Sequence, residues 1–421
     1  RNVRLWDPRP LLDTYNQLQY LRLYYKFGDV DVDRYVVDGQ YRQVLVGARE
    51  LTPENLPSEA QNWVNQKLQY THGYGVAASP VTEFTPEGRP VFFAQDIPPT
   101  GVLQITRPEI YFGENTKEYV IVNSLQPEFD YPTQEDTPAY VKYQGAGGVH
   151  LSSLLRRAAY AWQFADVNIL ISDRISPEAK LQYRRQIKER ITTVAPFLML
   201  DKDPYVVVTP DGRLMWIQDA YTTSNRYPYS LPYTSAVTGD TFNYIRNSVK
   251  VVTDAYNGAM DFYIADPKDP VVTAYAGIFP TLFKPLSEMP DDLRAHLRYP
   301  EDLFTIQSDT YLQYHMTNPT EFFGKDDQWS VPNEVFADEQ QRVVPYYVIM
   351  RLPGEKDEEF VLILPFTPME TATEKKPNMV AWLAARMDGE QYGKLLSFKF
   401  PRGAQIDGPM QIEARIDNDT L

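Results

Sequence analysis

Tyr205-Val-Val-Val-Thr-Pro-Asp-Gly-Arg-Leu-Met-Trp-Ile-Gln-Asp-Ala-Tyr221 decides the fold class. Two runs rich in β-branched and aromatic residues flank Pro210-Asp-Gly, a turn that folds a chain back on itself, so the stretch reads as an antiparallel hairpin. The pattern recurs downstream, where Val249-Lys-Val-Val-Thr-Asp and Ala259-Met-Asp-Phe-Tyr-Ile bracket Asn257-Gly258, and upstream, where the strands of Asp31 to Glu50 bracket Asp38-Gly39. Asn-Gly and Asp-Gly favour the type I′ turn, whose twist matches that of paired strands. Asp-Ala-Tyr occurs in both of the first two hairpins, at 219–221 and 254–256, too short a likeness to count as a repeat.

Helical signals surround these hairpins. A polar helix is expected over Leu11 to Tyr25, and a second from Pro57, with Trp63 and Leu68 inward and Gly73 past its end. Leu154, Leu155, Ala158, Ala161 and Trp162 recur at threes and fours, which predicts a buried stripe. A further helix is expected from Ser176-Pro177-Glu178, with Tyr183, Ile187, Ile191 and Val194 inward. Proline-initiated helices follow between Pro290 and Phe323. Beyond them, Val343 to Leu352, Phe360 to Phe366 and Leu395 to Phe400 read as strands and Met379 to Met387 as an amphipathic helix. The expected class is α+β, mostly antiparallel sheets and hairpins with a helical central section. The expected domains are a β-rich one over 1–137, an α+β one over 138–335 and a β-rich section over 336–421.

Composition narrows the function. The 421 residues carry 41 basic and 56 acidic side chains, a net charge of −15, which lacks the basic footprint of a nucleic-acid binder. No cysteine is present, so thiolate metal sites, iron–sulfur clusters and cysteine nucleophiles are excluded. The same lack fits work outside the cytoplasm. Thirty tyrosines and 34 prolines favour broad strands and surface loops. No apolar run reaches a membrane-spanning length, and a chain beginning at Arg1 reads as a fragment of a longer one. The charge is uneven: Arg156 to Arg190 carries eight basic residues against four acidic, while Glu321 to Lys375 is acidic.

Four candidate sites emerge. Asp29, Asp31 and Asp33 resemble a calcium loop, but Arg34 and Gln40 stand where such a loop needs glycine and a bidentate glutamate. Strand alternation places the three on a solvated face, with Val30 and Val32 beneath. The Gly145, Gly147, Gly148 turn offers backbone amides to an anion, without a P-loop lysine; a tight connection capped by Ser152 is the plainer reading. His72 is a conceivable general base at a helix end, although no histidine lies in a metal-ligand spacing. Asp219 and Asp254 end successive strands and could form a carboxylate pair of the glycosidase kind, with Tyr221, Arg226, Tyr227 and Tyr229 as stacking and ligand-binding surfaces. The alternative is that these aspartates are turn residues. No cofactor signature is present.

Arg4-Leu-Trp-Asp-Pro-Arg-Pro-Leu-Leu, Leu21-Arg-Leu-Tyr-Tyr, His72-Gly-Tyr-Gly, Arg190-Ile-Thr-Thr-Val-Ala-Pro-Phe-Leu, Trp216-Ile-Gln-Asp-Ala-Tyr-Thr-Thr-Ser, Asn243-Tyr-Ile-Arg-Asn-Ser-Val-Lys and His296-Leu-Arg-Tyr-Pro-Glu-Asp-Leu-Phe together resemble the bacterial membrane proteins grouped as uncharacterised protein family 0182. The resemblance runs from end to end. It implies several N-terminal transmembrane helices followed by a large extracytoplasmic region, of which this chain is the greater part, at the cell membrane. Partners would be the protein's own transmembrane helices and a cell-envelope glycan or lipid, with no nucleic acid. The resemblance carries no activity, cofactor or catalytic residue. The expected function is a non-catalytic ligand-binding or envelope-interaction module; the alternatives are an envelope-polysaccharide hydrolase or lyase and an accessory domain of a transporter. Near the membrane, Trp6, Tyr15, Tyr20, Tyr24 and Tyr25 would either rest at the interface or pack into the core.

Overall fold

In the computed structural model, which describes residues 5–418 apart from 20–21, 134–137, 236–238, 338, 370–376, 402 and 404, the Pro210-Asp-Gly turn joins strands Tyr205–Val208 and Leu214–Ser224 in antiparallel register. The Asn257-Gly258 turn joins Tyr244–Asp254 to Met260–Ile264 in the same way. Both hairpins share one six-stranded sheet, antiparallel except for the parallel edge strand Phe283–Pro285. The third hairpin, Asp31–Val37 with Gln40–Leu51, turns at Asp38 and Gly39, whose φ values of 51° and 74° are the positive pair that a type I′ turn needs. Gln40–Leu51 also pairs with Tyr25–Phe27 and Val76–Pro80, completing a four-stranded sheet. The α+β, mostly antiparallel class holds.

Two compact units divide the chain. The larger takes in most of Val3–Pro228 and Tyr244–His296. Its core joins both large sheets: Val44, Val46 and Val76 of one pack in the same cluster as Val206, Trp216, Val249 and Phe262 of the other. The Trp216 indole donates to the Phe112 carbonyl at 2.9 Å, so the buried ring leaves no polar atom unsatisfied. Tyr15, Tyr24 and Tyr25 are buried in this unit. The smaller unit, Tyr229–Asn243 with Leu297–Leu421, holds a five-stranded sheet built on Glu359–Pro368. It also holds the proline-led helices Glu301–Tyr314 and Pro319–Gly324.

Several helices expected from periodicity form differently. Met379 to Met387 is the strand Ala381–Arg386, flanked on both sides in the sheet. A short apolar run buried on two faces carries no periodicity that separates helix from strand. The segment from Ser176 forms the strand Lys180–Gln182, and helix begins only at Ile187. From Pro57 the chain makes a 3₁₀ turn and, after Asn65, a π-helical turn, rather than one helix. The first helix is Pro8–Leu18, capped by Asp7, and Tyr25 already lies in a strand. Helix Leu154–Gln163 forms, but of its expected buried stripe only Ala161 is inside.

Candidate metal centre

The strand Asp31–Val37 exposes Val36 alone. Its Asp31, Asp33 and Tyr35 side turns toward the other large sheet, whose strand Tyr205–Val208 pairs only with Leu214–Ser224 and so has spare amides. Asp31 Oδ2 accepts the Val206 N–H at 3.0 Å and the Tyr35 hydroxyl accepts the Val208 N–H at 3.1 Å. Asp31 and Asp33 are therefore buried, correcting the expectation of a solvated row.

The same docking brings in a residue that no local pattern of Asp29–Asp33 reveals. Asp203 stands two residues before that strand, in a turn whose amide bonds Asp201 Oδ1 at 3.0 Å. Its carboxylate meets those of Asp29 and Asp31, with one oxygen from each within 4.8 Å of the others. Asp33 goes elsewhere: its carboxylate accepts from the Arg34 amide at 2.8 Å and contacts His296 Nδ1 at 2.7 Å.

A third segment, held by Glu50 of the strand Gln40–Leu51, adds one more acid, Glu114. Gly113 and Gly28 permit the approach, because a Cβ on Gly113 would lie 2.2 Å from Glu50 Oε2 and one on Gly28 2.2 Å from the Asn115 amide. Glu50 is spent in holding this loop, accepting from the Glu114 and Asn115 amides and from Thr116 Oγ1 at 2.7–3.1 Å. Glu114 is left to face Asp29.

The electrostatics follow from this crowding. Burial, then repulsion from Asp31, Glu114, Asp203 and Glu50, pushes the Asp29 carboxyl well above the usual range. Burial pushes Glu114 up to about 7, with Asp203 and Glu50 adding to it and Lys188 opposing. Glu114 and Asp29 lie close enough for each to shift the other's pKa. Glu114 Oε2 is buried with no hydrogen-bond partner. Hard oxygen donors from three segments, held together against their own repulsion, are what a divalent cation of the Ca²⁺ kind takes as ligands.

The other candidates lie apart. His72 is buried, its Nδ1 on the Gly73 carbonyl at 2.9 Å, and burial pulls its pKa down to about 4. Asp219 sits mid-strand in the core in an ion pair with Lys250. Asp254 accepts the Tyr256 and Asn257 amides of its turn. In the ladder Asp219 faces Lys250 and Asp254 faces Met215, so the two acids are four residues apart along it, roughly 13 Å, and form no pair. Tyr221 is buried against Asp201, whereas Arg226, Tyr227 and Tyr229 are exposed, with Tyr227 stacked on Tyr244. Gly145 and Gly147 pack against Asn257 and Tyr143, and Lys180 Nζ takes the Gly145 carbonyl at 2.8 Å. Gly148 alone of the three borders a cleft of about 300 Å³, with Gln182, Arg184 and Arg190. The helix after this turn is capped by Ser153, not Ser152.

Among the described residues no helix is long and apolar enough to cross a membrane. No solved structure matches the chain. Curated relatives do: a UPF0182 protein of Pelotomaculum thermopropionicum is 53% identical over 421 residues, all of this chain and 45% of that protein. One from Desulforamulus reducens is 51% identical over 421 residues, covering 44% of its length. Another from Trichodesmium erythraeum is 50% identical over 435, covering 47%. The chain thus spans about half the length of the curated relatives it matches. With the profile of the uncharacterised protein family UPF0182 matching residues 1–421 as well, the chain belongs to that family.

Proposed function

We propose that this chain is a non-catalytic, cation-binding module on the extracytoplasmic side of a membrane protein, with Asp29, Asp31, Asp203 and Glu114 as ligands of a calcium ion. The observation that carries the reading is the carboxylate cluster itself: Asp29, Asp31 and Asp203, of which Asp31 is buried, each bring a carboxylate oxygen within 4.8 Å of the others, a set of hard donors that suits calcium. Calcium is favoured over magnesium because Mg²⁺ demands a near-ideal octahedron and sheds water reluctantly, whereas Ca²⁺ accepts an irregular set of carboxylates. Affinities of about 10⁻⁴–10⁻³ M are typical of extracellular calcium modules. The absence of cysteine and the half of the relatives' length outside this chain support the location, leaving room for membrane segments. In this role the ion ties Asp29–Val37 to the turn before Tyr205 and to the 113–116 loop, fixing the two sheets of the larger unit to each other.

The test is thermal unfolding of the chain and of Asp203→Asn, each in Ca²⁺, in Mg²⁺ and in EGTA. Calcium raises the midpoint of the parent chain by several degrees and leaves the near-isosteric variant unmoved. Equal shifts in both proteins, or none in either at millimolar calcium, would sink the assignment.

A further inference from the structure

The helix Leu154–Gln163 and the short helix Asn168–Ile171 form a hairpin that turns its apolar side outward. Trp162 is 86% exposed and Leu155 84%, and Leu154, Val167 and Ile171 are also exposed. Scattered surface apolar residues need no explanation, but five within one hairpin, including a tryptophan, form a patch of the kind that marks an interaction surface. The arrangement is not loose packing. At 100° per residue Leu154, Ala158, Trp162 and Leu155 fall in one sector of the helix. Ala161 at the edge of that sector, with Phe164 and Tyr160 further round the helix, packs on the core of Leu68, Tyr119, Ile121, Leu151 and Leu181. Arg157 locks the hairpin shut, donating to the Ile169 carbonyl at 2.8 Å and the Ser172 carbonyl at 2.6 Å. The outward face is therefore rigidly presented.

Its basic residues outnumber its acidic ones. The first helix holds Arg156 and Arg157 and no acid, exposed Arg174 follows the second helix, and Asp166 in the connecting turn and Asp173 are the acids beside them. Leu125, itself exposed, lies beside Arg174, its amide on the Arg174 carbonyl at 2.9 Å. In a chain of net charge −15 this is a local reversal of sign. We propose that this hairpin docks on an anionic lipid surface, with Leu154, Leu155, Trp162, Val167 and Ile171 entering the headgroup boundary and Arg156 and Arg174 meeting lipid phosphates. Tryptophan and leucine on one face with arginine at its margin is the composition of helices that lie in a membrane interface. A second copy of the chain fits less well, since a two-fold contact through this face would set arginines against their own images.

The test is co-sedimentation of the 421-residue chain with phosphatidylglycerol vesicles and with phosphatidylcholine vesicles, in EGTA so that calcium bridges nothing. Binding is expected to the anionic vesicles, with weakening as salt is raised. Leu155→Ser and Trp162→Ser are each expected to cost about tenfold in binding or more. Arg156→Gln with Arg174→Gln should remove the preference for anionic lipid while unfolding is unchanged. No binding to either vesicle overturns the proposal. Concentration-dependent self-association in the absence of lipid, abolished by the same serine variants, also overturns it and makes the face a protein interface.

Discussion

Two places in the larger unit gather charged aspartates, and they treat the charge in opposite ways. Asp219 lies in the six-stranded sheet directly across from Lys250, and both are buried, so each charge has its partner. Asp29, Asp31 and Asp203 bring one carboxylate oxygen each within 4.8 Å of the others, and Glu114 adds to the repulsion on Asp29. The first site is complete within the fold. In the second, like charges raise one another's pKa, and it is there that we propose a cation.

The comparison breaks most visibly at the ion pair. Asp219→Ala strands the Lys250 ammonium in the core and is expected to cost about 3–5 kcal/mol in urea unfolding, with calcium making no difference to the loss. Asp219→Leu combined with Lys250→Met should recover most of it, because a buried pair can be exchanged for apolar packing at little net cost. At the carboxylate cluster the same kind of change acts in the opposite sense. Asp203→Asn removes a repelling charge, so the chain in EGTA gains up to about 1 kcal/mol. It also forfeits the calcium-dependent stabilisation, which is about 2.7 kcal/mol for a ligand at a hundred times its Kd.

Acidity sharpens the contrast. The pKa of Glu114 is raised from 4.5 in the unfolded chain to about 7 in the folded one, so between those values the folded state holds more protons. Without calcium, stability contributed by that proton is present in full below about pH 4.5 and is lost as the pH rises through about 7. Calcium displaces the proton, so the gap between midpoints in Ca²⁺ and in EGTA should widen from pH 5 to pH 8. A constant gap would mean that Glu114 takes no part. The smallest effect belongs to the exposed hairpin: Trp162→Ser should shift unfolding by no more than about 0.5 kcal/mol, since its ring touches solvent and not core.

How much of this was legible in the sequence follows from how local each signal is. The Asp38-Gly39, Pro210-Asp-Gly and Asn257-Gly258 turns are set by a few adjacent residues, and the hairpins around them form with the expected partners. Asp29, Asp31 and Asp33 stood out as acids in a row, but alternation placed the row in water. It lies between two sheets, and only the distant strand Tyr205–Val208 decides that. Asp203 was missed for the same reason, although Asp201-Lys-Asp203 before a strand repeats the Asp-x-Asp spacing of Asp29-Val-Asp31 and was a signal available to find it. Trp162 shows the converse limit. Helical spacing reports which residues share a face, and whether that face meets core or surroundings depends on elements elsewhere in the chain.

Calorimetric titration of the chain with calcium, repeated in buffers of different ionisation enthalpy near pH 6.5, tests the central claim most directly. The account predicts one ion bound per chain with release of a proton from the Asp29–Glu114 pair, and loss of both in Asp203→Asn. Binding that is absent, or that persists unchanged in the variant and releases no proton, would contradict it.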